Sequence, residues 1–229
     1  MHLQISSGGA AQGLVAALAP QINAPIEGTF GAVGAMKDRL LAGAPADLLI
    51  LTRALIAELM RQGHVRAGSA ADLGVVRTVL AVRAGDPAPP IGDVAALRTA
   101  LCAADDIYFP DPKLATAGIH FAKVIEALGI RVVLEARLRP FPNGATAMRA
   151  LAAQKGGRPI GCTQVTEILN TPGVTLAGPL PAEFELATVY TVGVATTAAV
   201  PDLARQFAAL LTGDAARDIR ARLGFEDLR

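Results

Sequence analysis

The sequence predicts an α/β protein in two lobes, each a mixed, mostly parallel sheet flanked by helices, with a ligand cleft between the lobes. Three observations carry that expectation. Short β-rich runs alternate with Ala- and Leu-rich helical patterns through most of the chain, as in a parallel sheet with crossover helices. The 229 residues suffice for one large or two small domains and can bury roughly 70% or more of the extended chain's surface. Two β-rich segments, near residues 76–84 and 188–196, adjoin the turn-rich stretches Ala84-Gly-Asp-Pro-Ala-Pro-Pro90 and Gly178-Pro-Leu-Pro181, as strands crossing between lobes would. This assigns residues 1–80 with 196–229 to lobe one and 81–195 to lobe two.

Taken in order, the runs His2–Ser6, Leu48–Leu51, Val76–Arg83, Asp106–Phe109, Val132–Glu135, Pro159–Cys162, Val174–Gly178 and Thr188–Ala195 read as strands. Helical spacing predicts helices over Ala10–Leu18, Ala35–Ala42, Arg53–Gln62, Val94–Ala103, Ile119–Leu128, Ala145–Ala153, Val165–Leu169, Asp202–Leu211 and Ala215–Leu223. In the helix from Asp202, for example, Leu203, Phe207, Leu210 and Leu211 hold one face inward.

Composition excludes several functions. Lys plus Arg number 21 against 20 Asp plus Glu, so no net field draws the molecule to nucleic acid or to an anionic membrane. Seven Phe, two Tyr and no Trp leave little for stacking bases. Cys102 and Cys162 lie far apart without metal-ligand spacing, so no metal site or other cofactor is expected. The uncharged stretch from Leu186 to Pro201 is too short to span a bilayer, so the chain is not expected to be membrane-embedded. The opening MHLQISSGG lacks a basic start and a continuous apolar run. The chain is therefore expected to be cytoplasmic, or periplasmic if a leader has been removed.

Four loops share one layout, a strand end and then small or hydroxyl residues before a helix: Ser6-Ser-Gly-Gly9, Gly28-Thr-Phe-Gly-Ala-Val-Gly34, Lys113-Leu-Ala-Thr-Ala-Gly118 and Pro142-Asn-Gly-Ala145. The first amides of a helix have no partner within it and carry the positive end of its dipole, so such a loop can receive an anion. Ser, Thr and Asn before a helix also serve as ordinary caps. Two loops in each lobe, converging on one cleft, favour a ligand. The candidate ligand-binding residues are Ser7, Gly8, Gly9, Thr29, Ala32, Val33, Thr116, Ala117, Asn143 and Gly144, with Thr163 and Gln164 behind. Arg83, on the second lobe's crossover strand, is a candidate carboxylate clamp.

With those residues in view, the chain resembles the substrate-binding proteins of molybdate-type ABC transporters. The resemblance rests on Leu41-Ala-Gly-Ala-Pro-Ala-Asp47 followed by the run LLIL, on Thr29-Phe-Gly31, and on Asp111-Pro112 with Ala117-Gly118. It implies the two-lobed type 2 periplasmic binding fold, a small oxyanion or carboxylate as ligand, and an ABC permease as partner. Family members hold their oxyanion partly with a serine pair at the positions of Ala32 and Val33, and with a tyrosine near Gly161-Cys-Thr-Gln164. Those hydroxyls are absent here, which argues against molybdate itself. The stretch Ile160-Gly-Cys-Thr-Gln-Val-Thr-Glu-Ile168 also resembles a branch that includes an isomerase of aconitate. That implies an alternative, isomerisation of a small polycarboxylate, with His120 or Glu167 as the base.

Overall fold

The computed structural model describes residues 2–228. In chain order it contains β1 (Leu3–Gly8), α1 (Gln12–Leu18), β2 (Ile26–Gly31), α2 (Val33–Leu41), β3 (Leu48–Thr52), α3 (Arg53–Arg61), β4 (Ala71–Arg83), α4 (Val94–Ala103), β5 (Ile107–Pro110) and α5 (Thr116–Ala127). There follow α6 (Arg131–Leu134), β6 (Leu138–Phe141), α7 (Gly144–Ala153), β7 (Ile160–Gln164), α8 (Val165–Leu169), β8 (Val174–Pro179), β9 (Ala187–Val194), α9 (Pro201–Thr212) and α10 (Arg217–Arg222). The chain divides into two compact units, Met1–Val76 with Thr188–Arg229, and Arg77–Ala187.

In the first unit β1 lies between β2 and β3, all parallel, and β9 runs antiparallel beside β3. Leu48, Leu49, Ile50 and Leu51 are all fully buried, as an apolar run covered on both faces of a central strand should be. Buried Asp47, just before that run, accepts hydrogen bonds from the amides of Gln4 (2.8 Å), Ala199 (2.7 Å) and Val200 (3.1 Å). It thereby ties β1 to the entrance of α9. The run ending in Asp47 thus has a structural task, since this carboxylate is spent inside the unit.

The second unit holds β6, β5 and β7 parallel, in that order, with β7 and β8 both antiparallel to β4. One face carries a core of Leu97, Leu101, Phe109, Phe121, Ile125 and Leu134, with Phe109 and Phe121 edge to face at 5.6 Å. The other face packs Tyr108, Met148, Leu151 and Ile168. Cys102 and Cys162 are free, and burial pushes the Cys162 thiol far up, which leaves it inert.

Two expectations need correcting. Val132–Glu135 is not a strand: Arg131–Leu134 forms a helical turn in which Leu134 N donates to Ile130 O. Only Ile130 and Leu134, four residues apart, are buried there, whereas Val132 is 84% exposed. The apolar run therefore has a helical spacing, and β-branched side chains alone misled. The strand lies further on, at Leu138–Phe141. Likewise Gly28–Gly31 is not a loop; it is the end of β2, paired residue by residue with Ile5–Gly8.

Candidate functional site at the helix starts

In the first unit the parallel strands β1, β2 and β3 each lead into helix. Gly8 opens a short 3-10 turn, Gly9–Ala11, that continues into α1. Alanine 32 precedes α2, and neither start is capped by a side chain or carries an acidic residue in its first turn. The start of α3 differs, because the Thr52 hydroxyl accepts the Leu55 amide. Gly8 cannot be replaced without displacement, since a Cβ there would stand 2.7 Å from Val33 and 3.0 Å from Tyr190. Tyr190 was not among the sequence candidates; its signal was an aromatic on the inward side of a strand in a chain with two tyrosines.

Not every candidate in this unit reaches a helix start. Ser7 is fully buried and donates to its neighbour's carbonyl, Gly8 O, at 2.8 Å. Thr29 is paired with Ser6 in the middle of the ladder. Thr29 and Ser6 line a hollow of about 110 Å³ with Glu27 and Arg39. The extra length of β2 moves Thr29 back from the start of α2. That start is formed by Ala32 and Val33 alone.

In the second unit the three parallel strands β5, β6 and β7 lead into α5, α7 and α8, so these helix starts share the carboxyl-terminal edge of the sheet. Asp111 accepts the amides of Lys113 (2.7 Å) and Leu114 (2.9 Å), turning the chain into α5. Alanine 115 then precedes α5 without a side-chain cap, and Thr116 and Ala117 are its first residues. Gly118 admits no Cβ because the carbonyls of Pro110 and Asp111 lie against it.

The start of α7 is the opposite case. Asn143 accepts the Thr146 amide at 2.9 Å and forms a reciprocal capping box with it. The carboxyl group of Glu167 receives the Thr163 hydroxyl at 2.5 Å and the amides of Ala145, Gln164 and Gly144. Burial pushes this carboxyl above its usual range, while those four donors pull the other way. A Cβ on Gly144 would collide with both Glu167 and Thr163. Gly144 and Thr163 are thus committed to the buried carboxyl group of Glu167, and Asn143 to its own capping box.

Two further candidates are engaged elsewhere. Arg83 donates to the carbonyls of Gln154 (2.7 Å), Gly156 (3.0 Å) and Gly157 (3.3 Å) and pairs with Asp86 (3.0 Å), so it fastens loops and is not a carboxylate clamp. The Nε2 atom of His120 stands 2.7 Å from Phe184 O. Gln164 is buried, and among the described residues neither its amide oxygen nor its amide nitrogen has a hydrogen-bond partner. No group of three or more potential metal-ligating side chains occurs among the described residues.

The family model for bacterial extracellular solute-binding proteins matches residues 5–226. The chain belongs to that family. It superposes on the periplasmic molybdate-binding protein of Azotobacter vinelandii with a TM-score of 0.81 at 18% identity, covering 100% of both chains. On the sulfate-binding protein of Mycobacterium tuberculosis the TM-score is 0.77 at 17% identity, covering 100% of this chain and 87% of the other. These likenesses establish the type 2 periplasmic binding fold. In sequence it is similar to an aconitate isomerase from a Pseudomonas species, 27% identical over 190 residues, 81% of this chain and 69% of the relative. None of the described helices is long and apolar enough to cross a membrane.

Proposed function

We propose that this solute-binding protein takes a small oxyanion or carboxylate, received by main-chain amides at uncapped helix starts, for uptake through an ABC permease. The observation that carries the reading is the bareness of α2 and α5. Each begins after an alanine, and neither has a side-chain cap or an acid in its first turn. Three other starts, those of α3, α4 and α7, are capped by Thr52, Asp93 and Asn143. A cap contributes about 1 kcal/mol, so leaving a start bare forgoes stability that a bound anion restores.

The inorganic ions bound by the Azotobacter and Mycobacterium proteins and the tricarboxylate of the Pseudomonas enzyme are the chemical classes to compare. Alanine and valine at positions 32 and 33 add no hydroxyl to the shell, which favours a ligand held by amides over a bare tetrahedral ion. The screen is a thermal-shift series with molybdate, tungstate, sulfate, citrate and aconitate, followed by calorimetry on each hit. A ligand at a hundred times its Kd raises stability by about 2.7 kcal/mol. No shift with any of these anions overturns the reading.

A second reading, isomerisation of a small polycarboxylate, is favoured by the aconitate isomerase likeness. Its two candidate bases are poorly placed for it. His120 is bonded to a backbone carbonyl and the Glu167 carboxyl group is filled with donors. Turnover of aconitate, followed by ultraviolet absorbance, would reverse this preference.

A further inference from the structure

The second unit holds a set of buried polar atoms that its own fold does not satisfy. Gln164 is 3% exposed and Thr78 is 1% exposed, and they face each other across the β4–β7 ladder. In an antiparallel pair, opposed side chains share a face and stand close. The Gln164 amide oxygen and nitrogen, the Thr78 hydroxyl and the Thr166 hydroxyl all lack partners among the described residues. Folded proteins keep few such groups, because each costs free energy unless something pairs with it. Gln164 ends β7, the strand beside β5, and α5 follows β5 with its bare start. The unsatisfied amide and the open helix start therefore lie along the same edge of the same sheet.

The chemistry of the set is selective. A fully ionised molybdate or sulfate offers only acceptors, so it can take the Gln164 N–H groups but nothing for the amide oxygen. That oxygen needs a donor. The Gln164 main-chain amide already donates to the Glu167 carboxyl group, so only its side chain is left for a ligand. A carboxylate with a hydroxyl on its carbon skeleton meets both requirements, with charge for the helix amides and a donor for the side-chain oxygen.

We infer that the solute is a small hydroxycarboxylate whose hydroxyl is read by Gln164 together with Thr78. The inference rests on the proposed anion function and narrows it to a ligand class.

The test compares acids that differ by one hydroxyl, malate with succinate and citrate with tricarballylate, by calorimetry on the wild-type protein, Gln164→Leu and Thr78→Val. The wild type should prefer the hydroxy acid of at least one pair by about tenfold or more, because a site built to bond a hydroxyl rejects the analogue that lacks it. In Gln164→Leu the preference should fall toward one, and the unliganded melting temperature should hold or rise, since an unsatisfied buried amide has been removed. Thr78→Val, nearly the same shape, should reduce the preference more weakly. Equal binding within both pairs, or tighter binding of sulfate or molybdate than of any hydroxy acid, overturns the inference while leaving anion binding in place. If no anion binds at all, the broader reading falls with it. A lowered melting temperature in Gln164→Leu with the hydroxyl preference intact assigns Gln164 to structure and also overturns the inference.

Discussion

The starts of α2 and α7 are built from similar sequence, Gly-Ala-Val-Gly in one and Asn-Gly-Ala-Thr in the other, yet they end in opposite states. The start of α7 is closed. Asn143 caps it, Thr146 completes the box, and the Glu167 carboxyl group from α8 receives its first amides. The start of α2 is bare, with Ala32 in the cap position and no acid in the first turn. The difference teaches that a glycine-rich helix entrance is not in itself an anion site. What decides is whether another part of the chain returns a carboxyl group to it, and in α7 that group comes from 23 residues beyond Gly144.

The contrast is sharpest at the glycines. Gly144→Ala should be the most damaging change, costing about 2–4 kcal/mol in urea unfolding, because the new methyl group strikes the Glu167 carboxyl group and the Thr163 hydroxyl and opens their hydrogen bonds. A stable Gly144→Ala would break the comparison.

Ala32→Asp carries the α7 solution over to α2. A carboxylate in the cap position should occupy the amides and weaken anion binding about tenfold or more by calorimetry, with circular dichroism confirming the fold. Ala32→Ser, a neutral cap, should weaken binding less. Asn143→Ala removes one cap from the closed start and should cost about 1 kcal/mol with no loss of ligand affinity.

Glu167 gives the comparison a pH signature. Because burial raises its folded pKa above the unfolded value of about 4.3, its contribution is full below that pH and is lost as pH rises through the folded pKa. Melting curves should show the wild type losing stability relative to Glu167→Gln as pH climbs from about 4; the opposite slope would mean that the donors outweigh burial. The smallest effect is expected at Gly31. An added Cβ there meets only the flexible end of Met36, at 2.8 Å, so Gly31→Ala should change stability by less than about 1 kcal/mol.

Much of the fold was legible because its signals are local. The run Leu48–Leu51 reads as a buried strand, and Val94–Ala103 has the same bounds in sequence pattern and structure. The misreadings came where a local signal pointed the wrong way. Val132 and Val133 have strand-forming side chains, but only Ile130 and Leu134 meet the core. Thr29-Phe-Gly looked like loop because β2 is an edge strand with exposed Glu27, Gly28 and Thr29.

The candidate site was less legible, since its outcome depends on pairings distant in sequence. Nothing in the sequence near Asn143 announces that Glu167 returns to its helix, and nothing near Arg83 announces that the carbonyls of residues 154–157 consume its donors. Bareness is easier to read than occupancy, and Gly8, Gly9, Ala32, Val33, Thr116 and Ala117 remain the candidates at uncapped starts.

Amide resonances of a ¹⁵N-labelled sample, titrated with the best anion from the thermal-shift series, test the central claim most directly. The largest shifts should fall on Val33, Gly34 and Ala35 and on Thr116, Ala117 and Gly118, while Gly144 and Ala145 stay in place. Leading shifts at Gly144 and Ala145, with α2 and α5 unmoved, would contradict it.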